Sequence, residues 1–152
     1  MHPSGATPEG IQVCRLLDEH RDSCVALLSE ERYWEFPGAG TAAEEYNRTV
    51  SGGYGEFLPN LSCVALHGER VVAFVLVARN TPWVPEDDTQ AFITDIVVSP
   101  IHRQSGVATA LVREVLASAV LEGFKSVSLF SDDVNPAAER LYDGFGFDSS
   151  PS

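Results

Sequence analysis

Residues 91–98, AFITDIVV, are apolar on both faces apart from Thr94 and Asp95. A strand with one wet face alternates apolar and polar residues. Two-sided apolarity marks a central strand, covered above and below. Around it the other elements fall into place. Residues 11–17, IQVCRLL, alternate weakly and read as a first strand. Residues 18–34 have helical spacing, with Cys24, Leu27 and Leu28 on one face and Asp18 as N-cap or first-turn acid. EFPGAG breaks that helix. Thr41 then caps a short second helix, AAEEYNRTV, and Thr41 with Glu44 makes the Thr-x-x-Glu pattern of a capping box.

SGGYGEFLPN is turn-rich, and RNTPWVPEDD is a Pro-rich loop. Between them LSCVAL and VVAFVLVA, joined by HGER with Gly68 in the turn, read as a hairpin. The central strand is followed by SPIHRQSG and a long helix over residues 105–122. Its apolar stripe is Val107, Leu111 and Val115, widened by Ala108, Val112, Leu116 and Ala119. Gly123 stops it. SVSLFSDD is a further strand. NPAAERLYDGFG is a short helix with Asn135 as N-cap and Pro136 at its first position, ended by Gly144 and Gly146. The element order gives an α/β fold: a mixed sheet with helices on both faces.

A chain of 152 residues suits one domain with one core. The start, rich in Gly, Pro and Ser, reads as a flexible N-terminus over residues 1–10, ahead of a domain over residues 11–152. It lacks the charged-then-apolar pattern of a signal peptide, and no apolar run reaches the roughly 18 residues of a membrane span. Cys14, Cys24 and Cys63 are odd in number and match no zinc or redox spacing. They read as small buried hydrophobes, which favours a reducing, cytoplasmic setting. Net charge is −12, which disfavours nucleic acid and anionic membranes as partners. It would attract a cationic acceptor, or it serves solubility alone.

The chemistry is concentrated in VVSPIHRQSGVATAL. A buried strand ends, a loop follows, and a helix opens at Ser105 or Gly106. A helix start offers unpaired N–H groups and the positive end of its dipole to an anion. Gly106 lets backbone approach a ligand, Ala108 is nearly as small, and Arg103 adds a forked cation. By themselves these residues also describe an ordinary strand–turn–helix corner with a surface Arg. They are neither a P-loop nor a dinucleotide fingerprint.

SPIHRQSGVATAL resembles the acetyl-CoA motif of the GNAT superfamily, Arg/Gln-x-x-Gly-x-Gly/Ala. Downstream, NPAAERLYDGFGF is similar to that family's Asn-x-x-Ala…Leu-Tyr-x-x-x-Gly-Phe segment. The resemblance covers residues 61–147. It implies one GNAT-like domain with a mostly antiparallel sheet, and an N-acetyltransferase with acetyl-CoA as co-substrate and no metal. It implies direct transfer to a primary amine, on a small molecule or a peptide. The pyrophosphate would lie on the backbone amides of Gln104, Ser105, Gly106, Val107, Ala108 and Thr109, beside Arg103. Pantetheine would run along the backbone of Ile96, Val97 and Val98. Asn135 would contact the cofactor, and Tyr142 would point at the thioester sulfur. A CoA-binding module without turnover and a scaffold with neither function are the competing readings.

Tyr142 is also chemically apt as general acid. Its reference pKa of about 10 keeps it protonated at neutral pH, within about two units of a thiol. Asn135 as a plain N-cap and Tyr142 as a core aromatic remain the alternatives. Asp95 interrupts an apolar strand, flanked on its side by Ile93 and Val97, and is the candidate base; the alternative is a carboxylate serving backbone groups at a bulge. In the strand before Asn135 the acidic residue that some family members carry is missing: Phe130 stands five residues before it, with Asp132 and Asp133 later. Glu30, Glu31 and Glu35 are candidates to line the acceptor cleft, while His67 and His102 read as surface residues. The tail FDSSPS is too short for the family's last two strands. The expectation is that the sheet is short, that a partner supplies strands, or that the chain is truncated; a homodimer is among the partners considered.

Overall fold

The computed structural model describes residues 10–31, 35, 37–38, 40–82 and 85–129. In chain order these form β1 (Ile11–Arg15), a 3-10 turn (Asp18–His20), α1 (Arg21–Glu30), α2 (Ala42–Val50), β2 (Glu56–Phe57), β3 (Cys63–His67) and β4 (Arg70–Arg79). Then follow β5 (Gln90–Val98), a second 3-10 turn (Pro100–His102), α3 (Val107–Leu121) and β6 (Ser126–Leu129). The sheet order is β1-β3-β4-β5-β6, with β2 pairing the far end of β4. All pairs are antiparallel except β5 with β6. The expected mixed, mostly antiparallel sheet is therefore present, and AFITDIVV is an interior strand between β4 and β6.

Two apolar clusters cover the two faces. On one, Val107, Leu111, Val112, Val115 and Ala119 of α3 pack on Ala73, Val75, Val77 and Ile93. On the other, Cys24, Leu27 and Leu28 of α1 and Tyr46 of α2 pack on Phe74, Leu76 and Val97. The alternation of Phe74, Val75, Leu76 and Val77 between the two clusters is the strand period of two at work. Leu111 is fully buried, so truncating it to Ala costs about 2–5 kcal/mol.

The hairpin turns at Gly68, whose φ of +67° is the left-handed value that tight hairpins need at that position. α3 ends as its sequence suggests. Gly123 has φ +87°, its N–H donates to Val120 O, and the Phe124 N–H donates to Ala119 O, a Schellman closure.

Several boundaries differ from expectation. The first helix does not run over residues 18–34. A 3-10 turn occupies Asp18–His20, where the Leu17 N–H donates to His20 Nδ1 at 3.0 Å, and α1 has already ended at Glu30. Asp18 thus lies in the first turn of that 3-10 segment, and His20 precedes α1. The first strand is Ile11–Arg15, two residues shorter than expected, although the Leu16 N–H still donates to the Ser62 carbonyl in register with the ladder to β3. α3 opens at Val107, with Gly106 as its N-cap. Within SGGYGEFLPN, Glu56 and Phe57 form β2, which continues the edge of β4 beyond β3. Ser62 repairs the gap between them: its hydroxyl accepts from the Val77 N–H and donates to the Leu58 carbonyl, each at 3.0 Å. Among the described residues no helix is long and apolar enough to cross a membrane.

Candidate functional site

The site is built where β5 runs out. Asp95 pairs Leu76 and Ile93 pairs Val77, which leaves Thr94 as an extra residue in β5. Its hydroxyl donates to the Leu76 carbonyl at 3.2 Å. Such a bulge resets the alternation of side chains. Ile93 therefore points to the α3 face, as do Ile96 and Val98, while Val97 packs on the α1–α2 face. Asp95 shares the face of its partner Leu76 and of Val97, not that of Ile93. The expected flanking of Asp95 by both Ile93 and Val97 is corrected by this one residue. Asp95 is half-buried, not sealed in the core.

Beyond the bulge, Ile96, Val97 and Val98 pair Val75, Phe74 and Ala73. In an antiparallel ladder alternate residues turn their N–H and C=O away from the partner strand, so part of this backbone faces the other way. On that side the described ladder to β6 runs only as far as Ile93 and Leu129.

The strand hands over to α3 through a strained turn. Gln104 has φ +62° and Gly106 φ +91°, both left-handed. A non-glycine residue there is uncommon, and such backbone is concentrated at functional turns. No side chain caps α3, and its first turn carries no acid. A helix of 15 residues thus presents its first N–H groups and positive dipole end outward. Ser105 is held by its hydroxyl, which donates to the His102 carbonyl. Ser105 and Gly106 are exposed, Ala108 and Thr109 half-buried, and the Val107 side chain is buried, so Val107 has only backbone to offer a ligand.

Arg103 is exposed but not idle. Its Nε donates to the Val98 carbonyl at 3.1 Å, and its Nη2 is paired with Glu31 just past α1. Sequence spacing gave no hint of this contact, which spans 72 residues. Of the three acids expected near an acceptor, Glu30 and Glu35 are exposed and Glu31 is engaged by Arg103. His102 is not a plain surface residue: its ring meets that of His67 edge-on at 5.7 Å, and its Nδ1 is buried without a partner. Asn135 and Tyr142, like the helix expected to carry them, lie outside the described residues.

Burial pushes the Cys24 thiol up to about 12 and raises Cys63 further. Cys14 is half-buried, and burial followed by the nearby Glu19 raises it too. The Tyr46 phenol, buried edge-on to Phe74, is likewise raised, mainly by burial. Among the described residues no three His, Cys, Asp or Glu side chains converge to hold a metal ion.

Comparison with known proteins agrees with this architecture. Over 87 residues the chain is 31 % identical to mycothiol acetyltransferase of Brachybacterium faecium; the match takes in 57 % of this chain and 26 % of that protein. Ard1 from Thermoplasma volcanium superposes with a TM-score of 0.70 at 20 % identity, over 90 % of this chain and 82 % of that one. Diaminobutyrate acetyltransferase EctA from Paenibacillus lautus, solved with L-2,4-diaminobutyric acid and coenzyme A, superposes at 0.67 with 17 % identity, over 91 % and 75 %. At such identities the two structures speak for the fold alone. The model of the acetyltransferase (GNAT) family matches residues 16–147, and with most of its length accounted for in this way the chain belongs to the GNAT acetyltransferase family.

Proposed function

We propose that the protein transfers an acetyl group from acetyl-CoA directly to a primary amine. The observation that carries this reading is the turn from Arg103 to Gly106. It joins an interior strand to a long helix whose N-terminus no side chain caps, and two of its residues have positive φ. A protein of net charge −12 repels a polyphosphate in general, so binding one calls for a local cationic end of this kind.

In this reading the amides of residues 104–109, beside Arg103, hold the pyrophosphate, and the outward-turned backbone of Ile96, Val97 and Val98 pairs the pantetheine arm. Coenzyme A bound to EctA supports the choice of cofactor. Asp95, on the α1–α2 face beside the bulge, serves as base toward the incoming ammonium. A strand N–H of Val97 or Val98 stabilises the oxyanion. Tyr142 returns a proton to the departing thiolate, and Asn135 steadies the cofactor. The raised thiols of Cys14, Cys24 and Cys63 favour direct transfer, because an acyl-enzyme would need a ready thiolate.

The test is thiol release from acetyl-CoA over a panel of small amines and peptide N-termini. Tyr142→Phe should leave CoA affinity near normal and lower kcat by roughly ten- to ten-thousand-fold. An unchanged kcat under saturating, chemistry-limited conditions would remove Tyr142 from the mechanism. Asp95→Asn should abolish the acidic limb of the kcat/KM profile; a retained limb means another base.

A further inference from the structure

Arg103 is the one charged side chain in the turn from Arg103 to Gly106, yet its guanidinium is already committed. Nε lies on the Val98 carbonyl, and Nη2 is paired with Glu31 at the end of α1. The Val98 carbonyl belongs to the backbone assigned above to pantetheine, and the guanidinium belongs to the turn assigned to the pyrophosphate. Glu31 draws the cation toward α1 and keeps it over the end of β5. Its carboxylate is itself mostly sheltered while the Arg side chain is half-exposed, so the pair has one anchored and one movable partner. An incoming pyrophosphate must either accept Arg103 with a carboxylate on its other edge or take it away. The second course is favoured by charge, because two anions sharing one partly screened cation repel each other.

We propose that Glu31 competes with the cofactor's phosphates for Arg103 and so sets cofactor affinity. Glu31 is thus a positioning residue that acts through Arg103 and touches neither the thioester nor the amine. The proposal rests on the cofactor site described above. It predicts a substitution that improves binding, which a merely structural Glu31 would not give. Glu31→Gln keeps the shape and an acceptor oxygen but removes the charge. It should tighten binding of coenzyme A by about two- to fivefold, the worth of one partly exposed ion pair. The gain should shrink as salt is raised from roughly 50 to 300 mM.

Calorimetry with coenzyme A on the wild type, Glu31→Gln, Arg103→Gln and the double variant tests this. The gain from Glu31→Gln should appear with Arg103 present and vanish in the Arg103→Gln background. Acetyl-pantetheine, which lacks the pyrophosphate, should bind wild type and Glu31→Gln alike. Unchanged or weaker coenzyme A binding by Glu31→Gln overturns the proposal, as does a gain of equal size without Arg103. The cofactor site is judged separately by Gly106→Glu. If that variant loses coenzyme A while Glu31→Gln changes nothing, the site stands and the competition fails. If Gly106→Glu binds normally, the site itself is wrong.

Discussion

Two helices of this protein begin in opposite ways. α2 closes its own N-terminus: the Thr41 hydroxyl accepts from the Glu44 N–H at 3.1 Å, and Glu44 Oε1 accepts from the Thr41 N–H at 2.8 Å. Two acids, Glu44 and Glu45, also sit in its first turn. α3 has none of these. Its N-cap is a left-handed Gly106, no side chain caps it, and its first turn carries no acid. The chain thus contains the means to cap a helix and uses it at α2 but not at α3. Leaving α3 open costs stability that a cap typically supplies, about 1 kcal/mol. In the proposed reading, what the open end gains is an anion site.

If that contrast is functional, the two ends should respond to substitution in opposite measurements. The largest effect is expected at α3. Gly106→Glu forces an L side chain to φ +91° and sets a carboxylate among the amides. Coenzyme A affinity should fall roughly a hundredfold or more, from strain plus like-charge repulsion. Unaltered affinity by calorimetry would dissolve the comparison, since the open end would then serve nothing.

A smaller effect belongs to α2. Thr41→Ala should cost about 1 kcal/mol, a fall in melting midpoint of roughly 2–4 °C, with coenzyme A affinity unchanged. A variant that lost affinity as well would tie α2 to the cofactor and blur the distinction.

The smallest effect is one of pH. The Thr41 N–H, and then its hydroxyl, hold the Glu44 carboxyl below the usual carboxylate range. A lowered folded pKa means stabilisation that is present above the unfolded value of about 4.3 and lost as pH falls through the folded one. The advantage of wild type over Glu44→Ala in denaturant midpoint should therefore be constant near neutrality and shrink below about pH 4. A difference unchanged down to pH 3 would mean that the capping box works without its charge.

Local chemistry was legible wherever a few adjacent residues decide an outcome. Thr41 and Glu44 announce a capping box, Gly68 a turn and Gly123 a helix stop, because each depends on backbone within four residues of itself. The two-sided apolarity of AFITDIVV likewise locates an interior strand. The strand–turn–helix corner ahead of α3 was legible through Gly106, though not the positive φ of Gln104, which no side-chain preference demands.

The sequence alone therefore determines the family, the order of the main described elements and the start of α3 after a turn, since periodicity and short motifs encode them. Tertiary structure alone decides which face Asp95 occupies and what Arg103 touches. One unpaired residue, Thr94, turns every later side chain of β5 to the other face, and nothing in AFITDIVV marks where the register slips. Glu31 and Arg103 meet only because α1 packs across the sheet and ends beside the last residues of β5. Contacts of that range are set by the packing of whole elements, and no local pattern can carry them.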